Sequence, residues 1–528
     1  MNGANAPGSI FDILGPIMTG PSSSHTAGAV RIGLMARHVA GGDIRRAVIT
    51  FYGSLSETYK GHMTDSGVVA GLLEMDVDAP GIRDALQKAE KRGMAVEVRP
   101  LSSDEKNPNT IELDIEAASG INRHIESITV GGGEILLSSI DGFPVELRGK
   151  RTEGLVFLEP GRGIPEQVLK MGPVTRISSV EHPGDGSLLV LRPKVPVKAS
   201  DLEAINRIDG VLNSCLIPCL YDYGSVADEP LFKSVEEMLQ YSSSAGKNLP
   251  AVAEAYEAGR SGLDRQSLRA KLARVWAVMD ESGKEGLSGH NKMIGGLMPG
   301  NDGKKLFDAY SRGVTLSGTV LPLAIARAIA AMEVNASMGR VCAAPTAGSC
   351  GVLPGVLSTV MEKHVLDEET ILDGLLIAGV YGALIASRAP VSGALGGCQS
   401  EIGVASAMAA AALTQIGGGT PEETAQAMAL ALKSLLGLVC DPVAGPVEVP
   451  CIKRNAVGVA NAFAAADMAL AGIRSVIPPD EVIGALRNVQ LLMPMELRDT
   501  TLGGLGITKT AQRLKVEWMS KCASCEGR

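Results

Sequence analysis

Two apolar patterns divide this chain. In the first part, short runs rich in β-branched and aromatic residues alternate with helical patterns, and turn residues separate them. RRAVITFYGS (45–54) predicts a strand, and further strands are expected at 95–99, 110–116, 125–130 and 134–140, with a triple glycine, Gly131–Gly133, among the turns. A helical pattern, AVRIGLMARHVAGG, follows Gly28, and another begins near Thr64 or Asp65 after a loop at Gly61 and His62. Residues 1–148 therefore read as an α+β domain. Between 149 and 225 the order is strand, helix, strand, strand, helix, strand (GLVFLE, GIPEQVLKMG, TRISSVEH, SLLVLRPKV, ASDLEAINRID, VLNSCLIPC). That order is ferredoxin-like.

Residues 226–270 are polar and interrupted by SSSAGKNLP and GRSG, and they read as a linker with some helix. From 271 to 528 the 3.6-residue period dominates. Helices are expected at 264–280, 318–334, 351–364, 368–387, 400–415, 421–438, 455–471 and 479–489, separated by glycine-rich loops. The fold class is thus multidomain: an N-terminal α+β domain, a small ferredoxin-like unit, and a mostly α-helical C-terminal domain. The apolar stretches 316–334 and 371–387 are interrupted by Arg327 and Glu333, and by Asp373 and Gly374. They read as buried core helices, since a membrane span wants about 20 uninterrupted apolar residues.

Composition narrows the function. Hydrophobic residues make up 45% of the 528, but aromatics only 3%, so the core must be built from aliphatic side chains and closely approaching backbones. The net charge is -9, with no long basic run and no aromatic stacking platform, which argues against a nucleic-acid partner. The N-terminus lacks the pattern of a secretory signal. Nine cysteines without such a signal point to a reducing, cytoplasmic setting, where thiols are free, catalytic or metal-bound.

Three cysteines lie on conspicuous loops. Cys398 ends GALGGC, and Cys440 and Cys451 bracket CDPVAGPVEVPC, stiffened by Pro442, Pro446 and Pro450. Thiols near helix N-termini favour the thiolate, the form that binds soft metals. Free cysteines are also common as small buried hydrophobes, and spacing alone names no metal. Cys215, Cys219, Cys342 and Cys350 suit that plainer role. In PSSSHTAG (Pro21–Gly28) the serines are natural helix N-caps. The same amides and hydroxyls also suit a carboxylate. A single histidine, His62, at a helix start is by itself more often a structural hydrogen-bonding residue than a catalytic one.

Five stretches carry a resemblance: FDILGPIMTGPSSSHTAGAVRIG, FYGSLSETYKGHMTD, EVNASMGRVCAAPTAGSCGVLPG, SGALGGCQSEIGVASAMAAAA and GLVCDPVAGPVEVPCIKRNAVGVANAFAAADMALAG. They resemble, in the same order, the iron–sulfur L-serine dehydratases of bacteria. The likeness covers about 9–150 and about 285–515, and implies the family's β and α chains fused, β part first. It implies a 4Fe–4S cluster on Cys398, Cys440 and Cys451, with one iron open to substrate. The implied reaction is β-elimination from L-serine to pyruvate and ammonia, with the open iron as Lewis acid and His62, in KGHMTD, as base. Ser22, Ser23, Ser24, His25 and Thr26 are then expected at the substrate carboxylate, with Asn335, Ser337, Thr346 and Ser349 as further substrate contacts. Because His62 and the cysteines lie in different domains, the site should be at their interface. Cys350 is expected near the site but off the cluster.

The middle unit looks like a degenerate ACT-type regulatory domain. Some single-chain members place a C-terminal cysteine on the cluster; here the tail is KCASCEGR, and Cys522 and Cys525 are each a candidate fourth ligand or part of a separate metal site. The alanine-rich helices suggest a homodimer, with no membrane partner. Two other readings share these residues: the same chemistry on threonine or cysteine, and a non-catalytic amino-acid sensor. A pyridoxal-phosphate mechanism would leave the cysteine set idle.

Overall fold

A six-stranded sheet organises the N-terminal part. Its spatial order is Ala95–Leu101, Ile44–Tyr52, Thr110–Ala117, Asn122–Gly131, Glu134–Ile140 and Phe143–Leu147. Only Ile44–Tyr52 and Ala95–Leu101 pair in parallel, and helices fill the crossover between them. The rest is an antiparallel meander. Ile111, Leu113, Ile115 and Ala117 are buried, as strand alternation requires of one face. Helices Gly28–Val39 and Thr64–Leu72 cover that face. They cross with their backbones in contact: a Cβ on Gly33 would lie 2.1 Å from the Val68 carbonyl oxygen, and one on Gly71 2.1 Å from that of Val30. The structure, a computed structural model, describes residues 8–101, 106–107, 109–162, 165–169, 174–182, 186–193, 199–221 and 229–525.

The middle unit has strands Glu153–Leu158, Val174–His182, Gly186–Pro193 and Val211–Ile217, with helices Glu166–Leu169 and Ala199–Asn206. Its sheet is antiparallel throughout, ordered fourth, first, third, second. Val156, Leu158, Leu189 and Leu191 pack with Val168 and Ile205 into a small core of their own. Leu155, Phe157, Leu188, Val190, Cys215 and Ile217, on the other face, join the core of the N-terminal domain.

The helical part is built around Val404–Ile416, against which Glu368–Arg388, Pro421–Ser434 and Cys451–Leu470 pack. Ala405 and Ala407 to Ala412, apart from Met408, supply a fully buried face of small side chains that lets neighbouring helices approach closely. Glu368–Arg388 is long and apolar enough to cross a membrane, and 83% of its most apolar 18-residue window is buried in this core.

Two boundaries differ from the sequence reading. The stretch 226–270 is described from 229 onward, and there it holds helices Val235–Ala245 and Leu249–Ser261 and the start of Arg265–Leu287. Phe232, Met238, Val252, Tyr256 and Leu268 lie in the helical core, so this stretch is no spacer. Its breaker residues are caps: Ser234, Asn248 and Asp264 accept amide hydrogen bonds at three N-termini, and Gly246 and Gly262 end two helices with positive φ. The N-terminal segment also crosses over. Ile10, Phe11, Ile13 and Leu14 belong to the helical core. The Ser9 hydroxyl and the Ile10 amide donate to Glu257 at 2.6 and 2.9 Å. Ile17–Thr19 then pairs with Arg340–Cys342. These contacts fasten the two parts together and set the geometry of what lies between them.

Candidate functional site

The loops bearing Cys398, Cys440 and Cys451 meet in one buried place. Gly397, at φ 76°, turns the chain so that Cys398 caps a π-helical turn, Gln399–Gly403, leading into Val404–Ile416. Cys440 is fixed by a two-way bridge: its amide donates to Leu497 and its carbonyl accepts from Asp499. Cys451 opens Cys451–Leu470. A ligand atom from each of Cys398, Glu401 and Cys440 lies within 4.8 Å of the others. The Glu401 carboxyl takes a 2.6 Å bond from Thr346 Oγ1. Gly393 packs closely against this set: a Cβ there would stand 2.6 Å from Glu401 Oε2 and 3.3 Å from Cys440 Sγ. Arg454 Nη1 lies 3.4 Å from Cys398 Sγ, and Arg454 Nη2 pairs with Asp441 at 2.7 Å.

The electrostatics differ from the sequence expectation of thiols acidified by helix termini. The Cys440 thiol is held well above its usual range by its hydrogen bond to Cys398, then by burial, with Asp499 and Glu401 adding to it. Burial raises Cys451 too, ahead of the charges of Cys398, Glu401 and Asp499. Burial and then Asp499 push Glu401 up to about 7. Arg454 is the cation that touches this set. Loss of solvent and clustering of acidic groups outweigh the helix ends. A soft cationic centre suits such a donor set, because binding displaces the thiol protons and supplies the missing positive charge.

The bracketed loop is clamped at several points. Val443 donates to Val449 across it at 2.9 Å, and Ala444 and Gly445 take φ of 59° and 106°. The buried Glu448 carboxylate accepts from the Leu297 and Met298 amides at 2.8 and 3.0 Å. At its outer end Asp441 also accepts from Leu505 N at 2.8 Å.

His62 comes to this loop from the N-terminal domain. A Cβ on Gly61 would lie 3.0 Å from the Gly445 carbonyl carbon, so the two backbones are in contact. His62 is 2% exposed, followed by Met63 in the left-handed region at φ 54°. Thr26 Oγ1 donates to its carbonyl at 2.6 Å, and its ring stacks on His25 with centroids 4.7 Å apart. Its Nδ1 is buried and has no hydrogen-bond partner among the described residues. Burial lowers its pKa, against the opposing pull of Asp499 and the Gly445 backbone. Burial also lowers His25, to about 4, with His62 adding to it. Both rings are neutral at pH 7.

The other expected residues fall into two groups. Ser22 caps its helix by accepting from His25 N at 3.2 Å, and Ser23 Oγ accepts from Ala347 N at 3.1 Å. Those bonds, with Thr26 and Thr346, tie the 22–26 turn to the cysteine site; the Ser24 side chain lies outside the described residues. Asn335 donates to Pro21 and Ala347 carbonyls at 2.8 and 3.3 Å, and so joins the same two turns. The Ser349 hydroxyl is used locally, on Ala344 and Thr346 carbonyls. Ser337 follows Leu321–Ala336, with its Oγ buried and unpartnered among the described residues. Cys350 Sγ sits 3.5 Å from Met332 Sδ, in the apolar cluster that includes Cys451. Cys522 and Cys525 fall on helix Lys509–Cys525, and their side chains lie outside the described residues.

Sequence reasoning missed Glu401, Arg454 and Asp499. The first two carried a local signal, since each follows a candidate cysteine by three positions, one helical turn. Asp499 carried none. It reaches the site through the Cys440 bridge, and Cys440 Sγ lies 3.5 Å from its Oδ1.

Comparison with known proteins matches the beta-chain model of serine dehydratase to residues 9–137 and the alpha-chain model to residues 205–506. The alpha-chain match takes in the helices of the stretch first read as a linker. A probable L-serine dehydratase alpha chain of Bacillus subtilis is 46% identical over 54% of this chain and 94% of its own length. L-serine dehydratase 2 of Escherichia coli is 31% identical over 94% of this chain and 98% of its own. The L-serine dehydratase of Haemophilus influenzae is 29% identical over the same shares. This chain belongs to the serine dehydratase family, in the single-chain form that fuses the beta-type region ahead of the alpha-type region.

Proposed function

We propose that this protein is an L-serine ammonia-lyase, converting L-serine to pyruvate and ammonia at the junction of its N-terminal and helical domains. One observation carries the reading: the Cys398 and Cys440 thiols lie together with Glu401, Cys451 is buried within electrostatic reach of Cys398, and a buried imidazole from the other domain adjoins Gly61, which packs on Gly445 in the loop between Cys440 and Cys451. Cys398, Cys440 and Cys451 would hold a 4Fe–4S cluster, the type usually carried on cysteine thiolates. When bound, the cluster supplies an open iron as a Lewis acid toward the serine hydroxyl.

The chain's own residues do the rest. His62 Nδ1, buried and unpartnered among the described residues, accepts the α-proton of serine as the β-hydroxyl leaves. The Cα–H pair becomes the new carbon–carbon double bond. The resulting enamine takes a proton at carbon, and water then replaces its nitrogen, giving pyruvate and ammonia. The 22–26 turn, with His25 and Thr26, holds the substrate carboxylate. Thr346 and Asn335 keep that turn against the cysteine loops. Tight backbone contact around Gly445 keeps bulk water from the imidazole.

The middle unit is read as ferredoxin-like and ACT-like, supported by its strand order and its two-sided sheet. A homodimer is supported by the exposed apolar side chains Leu491, Leu492, Met495, Leu502, Ile507 and Val516, all in one stretch near the thiol site. A reducing, cytoplasmic setting accords with the seven described cysteines, all of them free.

The test is pyruvate formation by anaerobically purified protein, compared across L-serine, L-threonine and L-cysteine. The proposal expects the highest kcat/KM with L-serine. A higher value for another β-substituted amino acid would move the substrate, and the binding of serine without turnover would make the protein a sensor.

A further inference from the structure

We infer that Asp499 is the substrate-binding carboxylate that receives the ammonium group of L-serine, an inference that rests on the proposed lyase function. Serine at this site has its carboxylate, hydroxyl and α-hydrogen assigned to the 22–26 turn, the metal and His62. Its ammonium, a full positive charge taken out of water, needs an anion of its own.

The site's other acids are already engaged. Asp441 is paired with Arg454 and bonded by Leu505 N. Glu448 is held by the Leu297 and Met298 amides. Glu401 takes the Thr346 hydroxyl and is wedged between Gly348 and Gly393, where added Cβ atoms would lie 3.1 and 2.6 Å from its oxygens. Asp499 makes no ion pair among the described residues, and its side chain takes a 3.5 Å contact from Cys440 Sγ. Asp441 and Glu448 are buried, whereas Asp499, like Glu401, is half-buried, so a ligand can reach it.

Its position is central. Its charge acts on His25, His62, Glu401, Cys440 and Cys451, groups contributed by both domains. The second observation is the His62 ring, 2% exposed, with Nδ1 unpartnered among the described residues and within the field of Asp499. The α-hydrogen and the ammonium share one carbon. A base for the first and a carboxylate for the second must therefore lie near one another; Asp499 acts on His62 through its charge and lies 3.5 Å from Cys440 Sγ.

The test uses the iron-loaded full chain, as wild type, Asp499→Asn and Asp499→Glu, with two ligands. L-serine carries the ammonium; 3-hydroxypropionate keeps the carboxylate and β-hydroxyl but lacks it. Binding is read as KM or Ki and as the ligand-induced change in the visible spectrum of the metal centre. A charge-assisted bond of this kind implies that Asp499→Asn weakens L-serine by about 10- to 100-fold, leaves 3-hydroxypropionate unchanged or tighter, and retains iron. Asp499→Glu should recover part of the serine affinity. Equal weakening of both ligands, unaltered serine binding, or loss of iron from Asp499→Asn would each overturn the inference, the last by assigning the carboxylate to Cys440. If wild-type protein turns over no L-serine, the function proposed above fails, and the inference fails with it.

Discussion

Arg454→Met tests how the cysteine loop is held. The Arg454 and Asp441 side chains are 15% and 5% exposed, and their 2.7 Å pair is therefore nearly dry. Arg454 also donates to the Val439 carbonyl at 2.7 Å and approaches Cys398 Sγ at 3.4 Å, so one guanidinium spans both cysteine loops. Removing one member of a buried pair costs about 3–5 kcal/mol, because the other charge stays buried and uncompensated. Here the low end applies, about 3 kcal/mol, since Asp441 keeps the Leu505 amide and Arg454 is partly wet. Replacing both partners removes the stranded charge, so Arg454→Met with Asp441→Leu should recover most of the loss. The assay is urea unfolding of metal-free protein under reducing conditions, followed by circular dichroism, with the double-mutant cycle completed. A single-variant effect below about 0.5 kcal/mol, the level of an ordinary surface change, would refute the reasoning. So would additive single effects. Faster loss of iron from loaded Arg454→Met in air is the companion expectation.

His62→Gln should lower kcat by about 10²- to 10⁴-fold, the usual contribution of a positioned base, while iron content and the visible spectrum stay as in wild type; retained activity would remove His62 from the proton transfer. Glu257 gives a pH prediction. Burial raises its carboxyl from 4.5 to about 7, so the folded state prefers the protonated form. Its contribution to stability is fully present below about pH 4.5 and is lost as pH rises through about 7, a change of about 3 kcal/mol at 1.4 kcal/mol per tenfold. Glu257→Gln, whose amide oxygen can still accept from Ile10 while its NH2 faces the Ser9 hydroxyl, should flatten that part of the stability–pH curve, as chemical unfolding at pH 5 and pH 8 would show; an unchanged slope would contradict it.

The sequence was most legible where chemistry and period coincide. The helices of the C-terminal part are bounded by glycine loops and acidic first turns, and Pro421 with Glu422 and Glu423 opens one as helix-end electrostatics require. Five of the six strands of the N-terminal sheet were legible from β-branched runs between turn residues; the short edge strand Phe143–Leu147 was not. Less legible were features set by distant contacts. SSSAGKNLP read as linker because caps and linkers share a composition, and only the burial of Phe232, Met238 and Tyr256 separates the two. The crossing of Ile10–Leu14 into the helical core, and the pairing of Ile17–Thr19 with Arg340–Cys342, depend on partners more than 200 residues away. In the site, Cys398, Cys440 and Cys451 stood out through their loops, whereas Asp499 is one aspartate in LRDTT and becomes visible only through its backbone bridge to Cys440. The thiol electrostatics went the other way from the helix-end argument because burial dominates, and burial is not a local property of sequence.

The most direct test of the central claim is iron, acid-labile sulfide and L-serine turnover measured on the same anaerobic sample, for wild type and for Cys398→Ser, Cys440→Ser and Cys451→Ser. The account predicts about four irons and four sulfides per wild-type chain, as a cubane requires, turnover proportional to iron, and loss of both in each variant. Full turnover by iron-free protein, or by a serine variant that has lost its iron, would contradict it.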